Sequence, residues 1–306
     1  MRRVLLWMAG NRWLRRHLPG LWFARRAVRR FMPGEDADAA LAAGATFERD
    51  GIVPIYTRLG ENLVDVTEAE TTAREYLDLI DRMAAAGSRG EVSVKLTQLG
   101  FDFDVERTFA HVETLAERAA ASGADVWLDI EGSAYTESTI AFYERLKARY
   151  SNTGICLQAY LRRTAADVQR LLPLEPGIRL VKGAYAEPAA IAYGPRPEVD
   201  ANYAALAVEL LTAIAAGRRV RLGLGTHDVR LIEQIAAHGA AFGVERGSYE
   251  IQMLYGIRAA EQRRLAAEGY VVRTLIAYGP AWYPWYMRRL AERPANVLFA
   301  LRQALP

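Results

Sequence analysis

From residue 51 onward, short apolar runs rich in Val, Ile and Leu alternate with longer stretches whose apolar positions recur every three and four residues. The runs are Ile52–Tyr56, Val92–Leu96, Val126–Leu128, Ile155–Leu157, Ile178–Val181, Val220–Leu224, Tyr249–Ile251 and Tyr270–Val272. Eight such runs predict eight strands. The intervening stretches, such as 105–122 and 199–216, end at or near glycine, as helix stops require. Strand and helix repeated eight times predict a (β/α)8 TIM-type barrel of the α/β class, with a helical arm at the N-terminus.

A barrel places its chemistry at the C-terminal ends of its strands, whereas an open doubly wound sheet uses one switch point. Polar groups fall at nearly every strand end: Glu61, then Lys95 with Thr97 and Gln98, Asp129 with Glu131, Gln158, Lys182 with Tyr185, Thr226-His227-Asp228, Gln252 and Tyr278. The one glycine string resembling a dinucleotide fingerprint, Gly223-Leu224-Gly225-Thr226-His227-Asp228, lacks the third glycine. The barrel reading is the better supported.

Composition narrows the class. The 306 residues are 51% hydrophobic and 25% charged, which suits a globular chain and excludes disorder and coiled coil. A single cysteine, Cys156, cannot close an internal disulfide, and the four histidines (17, 111, 227 and 238) are scattered, so neither an oxidising compartment nor a metal centre is supported. A cytoplasmic location is expected. Ser133 lacks the glycines of a nucleophile elbow.

The net charge of +3 is unevenly spread. Residues 1–34 hold nine arginines and no acid, while the remaining 30 basic residues face 36 acidic ones. A mildly acidic body argues against nucleic acid as a partner. We divide the chain into a basic amphipathic arm, 1–45, and a catalytic barrel, 46–306. The apolar run from Val4 to Gly10 is far too short to span a bilayer, which needs roughly 20 residues. Two readings of the arm remain: an amphipathic helix pair lying on the inner face of an anionic membrane, or a helical arm packed on its own body.

Lysine usage is uneven too, with 36 arginines and only three lysines, at 95, 147 and 182. Two of the three lie at strand ends, where a compact ammonium serves as an anion site or a Schiff-base nucleophile. Arg288 and Arg289 follow the last strand and suit a bidentate grip on a carboxylate, although other arginine pairs occur in this chain. Thr226-His227 offers a phosphate cradle or, equally, the start of a helix capped at Asp228.

Together these segments resemble a family. Ser93-Val94-Lys95-Leu96-Thr97-Gln98-Leu99-Gly100, Leu128-Asp129-Ile130-Glu131, Gln158-Ala159-Tyr160, Arg179-Leu180-Val181-Lys182-Gly183-Ala184-Tyr185, Gly225-Thr226-His227-Asp228, Glu250–Gly256 and the Arg288-Arg289 helix look like those of bacterial monofunctional proline dehydrogenases, in the same order over about 51–300. The resemblance implies oxidation of L-proline to 1-pyrroline-5-carboxylate by hydride transfer to FAD, with electrons passed on to a quinone. It also implies a separate 1-pyrroline-5-carboxylate dehydrogenase downstream, since no second catalytic half follows. By the same resemblance Asp129 and Arg179 are catalytic, and Lys95, Tyr185, Leu254, Leu275, Arg288 and Arg289 surround the substrate. Glu61 pairs with Arg288 as a gate. Ile130, Gln158, Arg179, Lys182, Gly183, Ala184, Thr226, His227 and Gln252 hold the cofactor, and no metal is expected. Two departures bear on the substrate: Leu275 stands where the family carries a tyrosine, unless Tyr278 fills that place, and Gly132 stands where a second acid is usual. A related dehydrogenase for another cyclic or N-substituted amino acid, or a non-redox barrel binding an anion or a membrane, are the alternatives.

Overall fold

The computed structural model describes residues 2–18, 21–22, 28–60, 63 and 65–292. Eight parallel strands close into a barrel in chain order, β1 (Val53–Arg58), β2 (Glu91–Val94), β3 (Val126–Leu128), β4 (Thr153–Gln158), β5 (Gly177–Val181), β6 (Arg221–Gly225), β7 (Glu250–Leu254) and β8 (Val271–Tyr278), with β8 pairing back to β1. All eight expected strands form. Two expected helices lie at Val105–Ala121 and Arg196–Ala215, within three residues of their predicted bounds. The second strand ends early because Leu96–Leu99 turns into a 3-10 helix closed by Gly100 at φ 99°, a backbone state that favours glycine.

Side chains of a strand alternate between its two faces, and here the two faces differ in kind. Outward positions such as Val92, Val94, Leu128, Ile155, Leu157, Ile178, Leu180, Leu222, Leu224 and Ile276 are fully buried against the surrounding helices and form the main apolar core. Inward positions carry Glu91, Ser93, Trp127, Asp129, Cys156, Arg179, Arg221, Glu250, Gln252, Arg273 and Leu275. Bonds between strands that are not neighbours prove the direction: Arg179 on β5 reaches Ser93 on β2, and Arg221 on β6 reaches Glu91 on β2, paths that run only through the barrel. Such barrels are ordinarily filled by layers of branched apolar residues; this one is filled by charge.

Glycines make the room. A Cβ at Gly154 would run into the Trp127 ring, and one at Gly223 would come within 2.5 Å of the Gln252 amide. Trp127 is completely buried, with the guanidinium carbons of Arg179 and Arg221 at 4.7 Å and 4.8 Å from the centre of its ring.

A second apolar cluster lies outside the barrel. Leu5, Val28, Phe31 and Met32 of the arm pack on Trp282, Tyr283, Tyr286, Met287 and Leu290, which belong to the last described helix, Trp282–Glu292. Gly256, at φ 72°, follows β7 where the arm crosses it, and a side chain there would collide with the Arg30 carbonyl. The described part of the arm is thus docked on the body, and the helix Ala37–Arg49 runs on from it to bury Ala40 and Phe47 in the main core. The arm's outer side carries exposed tryptophans: Trp7, Trp13 and Trp22 are each about two-thirds exposed, at 64%, 64% and 65%. No described helix is long and apolar enough to cross a membrane.

Candidate active site

At the C-terminal end of the barrel the inward residues of β2, β3 and β5 converge on one carboxylate. Asp129 follows β3, its N–H bound to the Val94 carbonyl at 2.8 Å, so its place is fixed by the sheet ladder. Its Oδ2 accepts from the Lys95 ammonium at 2.9 Å, and its Oδ1 accepts from Arg179 Nη1 at 2.7 Å and Ser93 Oγ at 2.8 Å. Burial by itself would raise the Asp129 pKa, but Lys95 and Arg179 outweigh it and hold the carboxyl below its ordinary range. Burial likewise works against the Lys95 ammonium, and Asp129, Tyr185 and Glu131 reverse it, so Lys95 stays charged far above neutral pH. Asp129 thus carries two fixed cations, one on each carboxylate oxygen.

Arg179 is 4% exposed and donates from Nε to Gln252 Oε1 at 2.6 Å. Its Nη2 is buried and has no hydrogen-bond partner among the described residues. A buried guanidinium N–H without a partner costs on the order of 1–3 kcal/mol, so a ligand acceptor at this atom would be stabilised.

The other predicted residues fall around this centre. Gln158 closes β4 and donates to the Glu131 carbonyl at 3.0 Å, and Glu131 in turn accepts from the Thr97 hydroxyl at 2.5 Å. Lys182 is held by Asp200 at 2.5 Å and Asp228 at 3.2 Å. Gly183, at φ 114°, lies against the Tyr160 ring, which any side chain there would strike. Ala184 and Tyr185 follow on the same half-buried loop, and that loop is tied down where Glu187 accepts from the Ser133 N–H and hydroxyl. Ile130 and Thr226 are buried and His227 is half-buried. Asp228 sits at the N-cap position of the helix Val229–Ala241, as the helix-start reading expects, and its side chain accepts from Lys182 and Arg196.

Leu254 and Leu275 are paired across β7 and β8 on the inward face, and both are half-buried. Tyr278 is three residues beyond Leu275 and therefore on the opposite face, buried in the outer core beside Tyr76. By strand alternation Leu275 faces the interior and Tyr278 does not. Arg289 lies half-buried on the last helix. Glu61 and the side chain of Arg288 lie outside the described residues, and so does the expected gate.

Two participants, Ser93 and Glu250, were given no role from the sequence, although their signal was available: Glu91-x-Ser93-x-Lys95 and Glu250-x-Gln252 place polar residues at period two in strands whose other face is apolar.

A closed parallel barrel with buried charged groups gathered at the C-terminal ends of its strands is the arrangement that barrel enzymes use. The comparisons with known proteins carry this to a family. The sequence model of the proline dehydrogenase family matches residues 40–302. Proline dehydrogenase 1 of Bacillus subtilis (strain 168) is 33% identical over 305 residues, covering 100% of this chain and 99% of that protein. Proline dehydrogenase of Deinococcus radiodurans is 35% identical over 281 residues, covering 90% and 89%. Among solved structures, proline utilization A from Bdellovibrio bacteriovorus, inactivated by N-propargylglycine, matches with a TM-score of 0.80 at 23% identity, over 87% of this chain and 32% of that one, and it supports the barrel fold. The chain spans about a third of that longer protein. The chain belongs to the proline dehydrogenase family, flavin-dependent oxidoreductases, and its reaction is the oxidation of proline, the first step of proline catabolism.

Proposed function

We propose that the barrel mouth holds FAD and oxidises L-proline to 1-pyrroline-5-carboxylate, with a quinone as the electron acceptor. The observation that carries this reading is the Lys95–Asp129–Arg179 constellation, in which the buried guanidinium keeps its Nη2 without a hydrogen-bond partner among the described residues. That donor suits the acceptor atoms of a flavin ring, and Gln158, Lys182, Gly183, Ala184, Thr226, His227, Gln252 and the Ile130 backbone would hold the rest of the cofactor. A bound flavin supplies the hydride acceptor, which no side chain can.

The chain's own part is to position and to tune. Lys95 and Arg289 grip the substrate carboxylate, and Tyr185, Leu254 and Leu275 form the wall around the ring; the family resemblance assigns Arg288 to the same grip and Glu61 to its gate. Fixing both ends of a small ring in this way converts a chance encounter into a defined approach. Asp129 keeps Lys95 and Arg179 in place. The local positive charge disfavours an ammonium on the substrate, so its nitrogen gives up a proton and its lone pair can assist departure of the hydride from the adjacent carbon. Positive charge at Arg179 also favours the electron-rich reduced state.

The product leaves for a separate 1-pyrroline-5-carboxylate dehydrogenase, and the arm's basic, tryptophan-bearing face brings the enzyme to the membrane where the quinone resides. The direct test is spectroscopic. Purified protein should absorb near about 450 nm, as oxidised flavins do, and lose that band when proline is added without oxygen. A colourless protein that also gains no colour or activity with added FAD would overturn the reading.

A further inference from the structure

Below the mouth the barrel interior continues as a chain of charge. Glu250 opens β7, Gln252 lies two residues further on the same face, and Gly223 opposite them has no side chain to fill the space. The Gln252 amide is held at both ends: its Nε2 donates to Glu250 Oε2 at 2.8 Å, and its Oε1 accepts from Arg179 Nε at 2.6 Å. This orientation is obligatory, since the carboxylate can only accept and the guanidinium can only donate. Glu250, Gln252 and Arg179 are 7%, 5% and 4% exposed, so water does not compete for these bonds.

Glu250 is itself anchored below, by Arg221 Nε at 2.9 Å and Arg273 Nε at 2.7 Å. The same two arginines hold Glu91, at 2.7 Å and 3.0 Å, and Asp125 pairs with Arg221. Glu91 differs from Glu250 in one respect that matters: its remaining bond goes to Trp127 Nε1, at 2.7 Å, and not to Gln252.

We propose that Glu250 is a positioning residue for proline oxidation, acting through the Gln252 amide to fix the guanidinium of Arg179. Hydrogen bonds in a row polarise one another, so a carboxylate at one end of the amide makes its oxygen a stronger acceptor at the other. Glu250 is thereby coupled to the site from the far side of the barrel interior without touching substrate. The proposal rests on the flavin reading above.

The sign of one measurement separates this role from the alternatives. Removing a buried negative charge acts through space to raise the flavin midpoint potential, because the electron-rich reduced state is then less repelled. Loosening Arg179 acts the other way and lowers it. In Glu250→Gln holoenzyme we expect a lower midpoint potential and a several-fold slower reduction by proline. Glu91→Gln removes a carboxylate from the same two arginines and should leave the potential unchanged or higher. In an Arg179→Lys background, Glu250→Gln should lower the potential no further. Should Glu250→Gln fail to fold, Glu250→Asp keeps the charge and withdraws it by one methylene from Gln252, and it should lower the potential likewise. A raised or unchanged potential in either Glu250 variant, an equal fall in Glu91→Gln, or an undiminished fall without Arg179 would overturn the proposal while wild-type protein still shows its flavin band. Wild-type protein lacking that band would remove the flavin reading and this proposal together.

Discussion

Asp129 stands at the balance point of the mouth: two cations and a hydroxyl share its two oxygens, so its charge holds the site together more than any single contact does. Replacing it by asparagine would leave Lys95 and Arg179 buried without a counter-charge, a loss of about 3–5 kcal/mol of folding stability at neutral pH by the usual cost of a broken buried pair. The pH dependence has a definite sign. The folded-state pKa of Asp129 is depressed, so its contribution is present above the unfolded value of about 4 and lost as pH falls through the folded value. The stability gap between wild type and Asp129→Asn, followed by thermal melts, should therefore narrow below about pH 4; a gap constant across that range would show that the carboxylate's charge is not what stabilises the site. Arg289→Met should leave the fold intact and reduce kcat/KM by about 2–4 kcal/mol if it grips the carboxylate, as loss of a charge-assisted contact does. Wild-type kinetics would remove Arg289 from the clamp. Leu275 faces Leu254 inside the barrel and carries no hydroxyl, so bulkier apolar substrates such as pipecolate should be tolerated better, relative to proline, in wild type than in Leu275→Tyr. An unchanged ranking of kcat/KM values in the two proteins would mean that Leu275 does not contact the ring.

At the scale of elements, the barrel was legible because its outer face is apolar at period two and its helices at three and four, and both periods survive in the sequence without tertiary information. The interior was not legible as a whole. Single polar residues at strand ends stood out, but bonds such as Arg221 to Glu91, 130 positions apart, depend on which strands face each other across a closed barrel, and no local pattern encodes that. The inward glycines belong to the same hidden layer. Gly223 resembled half of a nucleotide-binding fingerprint, yet its physical role is clearance for Gln252. Gly223→Ala should therefore disturb the Gln252–Arg179 bond and lower stability by about 1–3 kcal/mol, the range for overpacking a core, whereas Gly217→Ala, at a surface turn with open space around it, meets only the strain of its positive φ of 80°. Equal reduction kinetics by proline in the Gly223 variant and wild type would show that the interior yields without moving Arg179.

At the scale of the molecule, charge and apolar area are segregated, and the arm faces two ways. Its inner face is committed to the last helix, whose Arg289 belongs to the proposed clamp, through Leu5, Val28, Phe31 and Met32. Deleting residues 1–34 would strip that helix of its apolar cover and confuse loss of membrane contact with damage to the site. The outer face is separable: Trp7, Trp13 and Trp22 are each about two-thirds exposed, so replacing all three by serine should change stability by no more than about 0.5 kcal/mol each, as surface substitutions do. With nine arginines in residues 1–34 on a body of opposite net charge, the arm should carry the protein to anionic vesicles. Binding should weaken as salt rises, because surface charge is screened beyond about 10 Å at 0.1 M, and the triple serine variant should sediment with vesicles far less than wild type while retaining its flavin band and its activity with a soluble acceptor. Tryptophan contributes by burying its ring at the lipid boundary and arginine by attraction to the headgroups, so both losses are expected in one experiment. Sedimentation that is equal in wild type and variant at low salt would mean that docking on the last helix is the arm's whole role.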